Sequence, residues 1–240
     1  MHEQNNAEIA PGLEGYVSFP RGKGPFPGVL VFMEAYGVTG HIRGACARLA
    51  DAGFAALAPD FFRGELIPYT DGQAAVAKIA TLKDETLLKE SLAGLDWLGK
   101  QSQVSADALG VIGFCMGGRL AYLINCRHPA RIKAAVGFYG GSIAPEAAGL
   151  DRFGRTPPIG ETVQMQAPLF LGYGADDQGI TAAEHGRVVA ALSAAKKRYT
   201  LNVYPGAGHA FLCEERANYA PAAAALGWRD AIAFLKANLT

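Results

Sequence analysis

Charge of one sign is missing from this chain: 22 lysines and arginines face 22 aspartates and glutamates over 240 residues. That balance gives no electrostatic reason to expect nucleic acid or an anionic membrane surface as partner. Long apolar runs are missing too, and none approaches the roughly 20 residues that cross a bilayer. The opening MHEQNNAEIA is polar, with no basic stretch leading into an apolar one, which argues against a secretory leader. Cysteine is scarce. Cys46, Cys115, Cys126 and Cys213 show no CxxC or other metal-ligand spacing, so no metal or organic cofactor is implied. Without a leader the expected compartment is the reducing cytoplasm, where these four remain thiols. Internal repeats and linkers are also absent. A chain of this length, half of it hydrophobic, suits a single α/β domain over 1–240. Oligomeric state leaves no mark in the sequence.

What the chain does have is apolar runs bounded by Gly, Pro or Asp, alternating with amphipathic stretches. Strands are expected over 28–32, 54–58, 109–114, 132–138, 168–173 and 199–204. Helices are expected over 41–52, 73–79, 85–98, 117–125, 181–195 and 221–237. Continuous apolar strands alternating with helices imply a mostly parallel sheet covered on both faces. Residues 16–19 read as an antiparallel edge strand. Residues 140–166, with Gly154, Pro157, Pro158 and Gly160, form one long irregular stretch that suits a lid or pocket wall, with room for a short helix.

The strand at 109–114 runs directly into Gly113-Phe114-Cys115-Met116-Gly117-Gly118 and then into a helix. This is the form of a nucleophile elbow, with cysteine where serine is commoner. Small residues two before and two after the nucleophile keep neighbouring backbone clear of a sharp turn. The helix that follows aims its positive end at the thiol and favours thiolate. The Met116 N–H would point toward a developing oxyanion. The competing reading makes Cys115 a small buried hydrophobe in an ordinary strand-to-helix turn. For Cys46 and Cys126, at core spacing on helices, packing suffices.

An elbow predicts an acid and then a histidine, each in a loop after a later strand. Of His2, His41, His128, His185 and His209, only the last three follow the elbow. His128 lies at a helix end and His185 within a helix. His209 lies in the turn-rich Tyr204-Pro205-Gly206-Ala207-Gly208-His209-Ala210-Phe211, just after the last strand, where an imidazole can reach the thiol. Asp176 and Asp177 are the acid candidates. Both follow a strand and precede a helix, either could serve as a cap or turn residue, and spacing alone does not separate them.

These residues resemble the dienelactone hydrolase (carboxymethylenebutenolidase) family over most of the chain. The resemblance rests on Val31-Phe32-Met33-Glu34-Ala35-Tyr36-Gly37, Ala55-Ala56-Leu57-Ala58-Pro59-Asp60, the cysteine elbow and Ala207-Gly208-His209-Ala210-Phe211. It implies an α/β-hydrolase fold and selects Asp177, ahead of Gln178-Gly179-Ile180-Thr181, with Asp176 as runner-up. It implies that Glu34 interacts with the cysteine and helps generate the thiolate; otherwise Glu34 is a solvated carboxylate at a strand end. Ala35 would supply a second oxyanion N–H, and Tyr36, Phe211 and Arg216 would contact substrate. The family's two carboxylate-binding arginines are missing. No arginine lies between Arg63 and Arg119, and Cys213 stands four residues after His209. Arg216, and Lys78 or Lys83, are the expected replacements.

The expected activity is hydrolysis of a small ester or lactone, dienelactone-like, through a thioester on Cys115. A carboxylesterase of unrelated specificity and a non-catalytic binding protein of the same fold are the alternatives.

Overall fold

The apolar runs assemble into one eight-stranded sheet in the computed structural model, which describes residues 3–146 and 149–240. His2 and residues 147 and 148 of the irregular stretch lie outside the described residues. The strands are β1 (Glu3–Ala10), β2 (Leu13–Phe19), β3 (Phe26–Phe32), β4 (Ala55–Pro59), β5 (Val104–Phe114), β6 (Ala134–Phe138), β7 (Leu169–Gly174) and β8 (Tyr199–Tyr204), in the order β1-β2-β4-β3-β5-β6-β7-β8. β3 to β8 pair in parallel, while β2 runs antiparallel to both β1 and β4.

The helices are α1 (Gly40–Asp51), α2 (Gly72–Thr81), α3 (Asp84–Gly99), α4 (Met116–Arg127), α5 (Ala182–Ala194) and α6 (Pro221–Leu239). The chain steps outward from β3 to β4, then back across β3 to β5, and continues that way to β8. Right-handed crossovers that step in opposite directions leave their helices on opposite faces. α1 therefore covers one face and α2 to α5 the other, and α6 returns to the α1 face, where the Arg48 guanidinium lies over the Trp228 ring. On the opposite face Arg119 of α4 makes a two-pronged bond to Asp84 of α3, at 2.8 and 2.9 Å, both side chains buried. The reversal between β3 and β5 opens a crevice at the carboxyl ends of the strands, where ligands of such sheets bind.

Two strand expectations need correction. Residues 16–19 lie in an antiparallel strand, but not at the edge, because β1 covers its outer side through a hairpin closed at Pro11-Gly12. β1 escapes an apolar-pattern search because Glu3-Gln4-Asn5-Asn6 is polar; the Pro-Gly turn, with Gly12 at φ 73°, was the available signal. β5 begins five residues earlier than expected. Its first part, with Ser105 and Asp107, pairs with the start of β3 across a register shift between Pro27 and Gly28.

The irregular stretch contains a short 3₁₀ helix, Pro158–Gln164, and is fastened to the body. The Tyr122 and Thr162 hydroxyls share a hydrogen bond of 2.5 Å, Arg127 pairs with Glu161, and Glu184 Oε1 accepts the N–H groups of Ile143 and Ala144 at 2.9 and 3.1 Å. Among the described residues no helix is long and apolar enough to cross a membrane.

Candidate active site

Three strand ends, those of β5, β7 and β8, bring Cys115, Asp177 and His209 to the same crevice. β5 delivers Cys115 with φ 55° and ψ −117°, a backbone state that persists only where the surroundings hold it. They do so here. The Cys115 N–H donates to the Phe138 carbonyl at 3.0 Å, and its own carbonyl accepts from the N–H groups of Gly118 and Arg119. A Cβ on Gly113 would fall 1.9 Å from the Gly117 carbonyl oxygen, and one on Gly117 2.4 Å from that of Phe32, so the turn closes only with glycine at both places.

The Cys115 sulfur lies 3.2 Å from His209 Nε2, and His209 Nδ1 lies 2.8 Å from Asp177 Oδ2. The other Asp177 oxygen accepts the N–H groups of Gly179 and Ile180 at 2.8 and 3.1 Å. The acid and histidine loops are tied together, since the Ala175 N–H donates to the Tyr204 carbonyl and the Asp176 N–H to that of Ala207, each at 2.9 Å. Asp176 is exposed at the cavity wall and makes no side-chain contact with His209 among the described residues. Asp177 is thus the acid that meets the histidine, which spacing alone left undecided.

Electrostatics follow from these contacts. Burial alone would raise the Asp177 carboxyl, but the His209 ring and the two N–H groups outweigh it and hold the carboxyl below the usual range. Burial works against the His209 imidazolium, yet the Cys115 sulfur and Asp177 override it and raise the histidine pKa to about 10. Met116, first residue of α4, carries an N–H that no helical carbonyl can accept. Beside the thiol opens a cavity of about 910 Å³, walled by Cys115, Met116, Arg155, Ile180, His209 and Tyr219 among others.

Other expected residues sit elsewhere. Glu34 is not solvated: it is 1% exposed, and neither of its oxygens has a hydrogen-bond partner among the described residues. No hydrogen bond joins it to Cys115, whose sulfur turns to His209 instead. Beside Glu34 lie His41, Cys213 and the Tyr139 hydroxyl, none anticipated as partners. Burial pushes the Tyr139 phenol well above its ordinary value and the Glu34 charge adds to this. The Tyr139 ring also stands 5.2 Å from that of His209. Its place directly after β6, the strand beside the elbow, was the usable signal.

Ala35 and Tyr36 are buried at the end of β3. Phe211, expected against substrate, is a correction. It is fully buried in an aromatic cluster with Phe138, Tyr139 and Tyr204 and does not line the cavity. Arg216 lies over the Tyr36 and Tyr69 rings, at 5.2 and 5.9 Å, outside the cavity lining. Lys78 pairs with Glu65 and Lys83 is exposed ahead of α3, so neither reaches the cavity. Its cations are arginines absent from the sequence reading, Arg152 and Arg155 of the irregular stretch, with Arg119 and Arg187.

The family pattern described as "Dienelactone hydrolase family" matches residues 13–239. A Methylorubrum extorquens protein named "Putative carboxymethylenebutenolidase" is 33% identical, the match covering 90% of this chain and 74% of the relative. A Bradyrhizobium protein named "Probable 2-oxo-3-(5-oxofuran-2-ylidene)propanoate lactonase" is 32% identical over 93% of this chain and 89% of its own. Among solved structures, "Putative Dienelactone Hydrolase from Klebsiella pneumoniae" superposes with a TM-score of 0.89 at 30% identity, covering 98% of this chain and 99% of the other.

Proposed function

The chain belongs to the dienelactone hydrolase family, and from that premise we propose that it cleaves a small ester or lactone with Cys115 as nucleophile. The observation that carries this reading is the unbroken run of contacts from the Cys115 sulfur through His209 to Asp177. The thiolate adds to the substrate carbonyl carbon, and the oxygen that becomes negative is met by the N–H groups of Met116 and Ala35. Collapse breaks the bond to the alcohol oxygen, which takes the proton held on His209, and leaves a thioester. Water then adds to the thioester carbonyl while His209 accepts its proton. The carbon–sulfur bond breaks and the acid departs. Asp177 fixes the imidazole tautomer and stabilises its charged form. Glu34 takes part in generating the thiolate, as the family resemblance implies.

The Bradyrhizobium relative's name describes a lactone that also carries a carboxylate. We extend that substrate class to this chain. Arg152 and Arg155, on the cavity wall, are the cations offered to such a group, and Arg216, stacked over Tyr36 outside that wall, is not.

Steady-state kinetics with dienelactone test the assignment. His209→Asn is expected to lower kcat/KM on the order of 10³-fold or more. Asp177→Asn should also lose most turnover, and Asp176→Asn should stay near the parent. A crippled Asp176→Asn beside a mild Asp177→Asn would reverse the acid.

A further inference from the structure

To take a proton from the thiol Glu34 has to be ionised, yet it is only 1% exposed. An isolated carboxylate in such a place favours its protonated form, so the groups around it decide its charge. The buried Tyr139 hydroxyl, just after β6, interacts with it. A second neighbour is His41 in the first turn of α1, with a ring nitrogen within 4.8 Å of a Glu34 oxygen. The His41 ring is held edge-on against Phe114, the residue before the nucleophile, with centroids 5.1 Å apart. Its Nε2 is buried and has no hydrogen-bond partner among the described residues. Burial lowers the pKa of this ring, with help from Arg48 and against the opposing charges of Glu34, Glu215 and Glu214, so it stands neutral at neutral pH. The positive end of α1 works in the same direction. A neutral imidazole keeps one N–H to donate. A crevice of about 100 Å³, walled by His41, Arg48, Glu214, Glu215 and Trp228 among others, lets solvent reach the ring.

We propose that His41 is a positioning residue whose Nε2–H donates to Glu34 and keeps that carboxylate ionised for the Cys115 proton, an inference that rests on the part Glu34 takes in generating the thiolate. A span of up to 4.8 Å closes by a small turn of either side chain or through one water, for which the crevice is the entry. Hydrogen bonds to the charged form of an acid favour that form, the more so away from water. Tyr139 supplies one donor, and a carboxylate accepts several. Cys213 and Tyr69, the other titratable groups near Glu34, add no charge. Burial raises both above their ordinary values, so they stay thiol and phenol at neutral pH. When substrate binds, the Cys115 S–H bond breaks, the proton forms an O–H bond on Glu34, and the electron pair stays on sulfur. Nothing else is consumed.

The test is the pH profile of kcat/KM for dienelactone in the parent, Glu34→Gln, His41→Phe, His41→Gln and the Glu34→Gln/His41→Phe double variant, with circular dichroism confirming each fold. Phenylalanine keeps the packing on Phe114 and lacks the donor, whereas glutamine keeps an N–H. His41→Phe should move the acid limb to higher pH and lower kcat/KM at pH 6 about tenfold, the size of a one-unit move. His41→Gln should recover most of that loss. Glu34→Gln should be crippled, and adding His41→Phe to it should change nothing further. His41→Leu takes the place of His41→Phe should the latter not fold. The proposal is overturned if His41→Phe keeps the parent's limb and rate, or if His41→Gln falls as far as His41→Phe. It is overturned too if the double variant loses a further tenfold, which would mark a packing role. A fully active Glu34→Gln would instead remove the role of Glu34 on which the proposal rests.

Discussion

Four thiols share one chain, and their surroundings divide them. Cys46 and Cys213 are fully buried, and burial pushes Cys46 well up and raises Cys213; Cys126 is pushed by burial to about 12. Cys115 is half-buried beside the raised His209. A limiting alkylating agent at neutral pH should therefore modify Cys115 first. Peptide mapping that found another cysteine labelled first, with activity lost and Cys115 intact, would remove it as the reactive thiol. At this scale the sequence discloses residues that a turn marks and misses those that only packing defines. Cys115 and His209 stand in glycine-rich turns after apolar strands, whereas nothing near Glu34 in sequence announces His41, Cys213 or Tyr139. Phe211 was misread for the same reason: proximity to the histidine in sequence does not say which way a ring turns, and this one turns into the core.

Between elements, buried polar contacts do the fastening. Arg119 and Asp84 hold α4 to α3 with side chains only 3% and 7% exposed, and Arg119 also donates to the Thr156 carbonyl at 2.9 Å. Removing one member strands the other charge, so Arg119→Ala should cost about 3–5 kcal/mol in denaturant unfolding. Replacing both, Arg119→Met with Asp84→Leu, should cost less than Arg119→Ala alone. A double variant less stable than the single would show that the pair itself, not the stranded charge, carries the stability. No local pattern announces such a pair, because its members are 35 residues apart. The elements it joins are legible, since their apolar periodicity reports burial directly. β1 and the first half of β5 are the exceptions, polar strands ordered by the backbone pairing of a neighbour.

Across the whole molecule, strand order explains why residues so far apart in sequence meet: Cys115, Asp177 and His209 each follow a parallel strand, β5, β7 and β8, at its carboxyl end. Chain order made their meeting readable; spacing left Asp176 and Asp177 open, the family resemblance selected Asp177, and in the fold Asp177 is the one in contact with His209. That carboxylate links the site to global stability. A carboxyl held below its ordinary value near 3.8 stabilises the fold above that value, and the contribution fades as pH falls through the lowered one. Parent and Asp177→Asn should thus differ in stability at pH 6 and converge below about pH 4; a gap constant over that range would mean that the charge contributes nothing. A thioester on Cys115 is caught by acid-quenching the enzyme during turnover of a slow aryl ester and weighing it intact. The expected result is added mass equal to the acyl group, mapped to the peptide bearing Cys115, released by hydroxylamine and absent from Cys115→Ala, which should not turn over. An acyl group on another residue, or full turnover by Cys115→Ala, would contradict it.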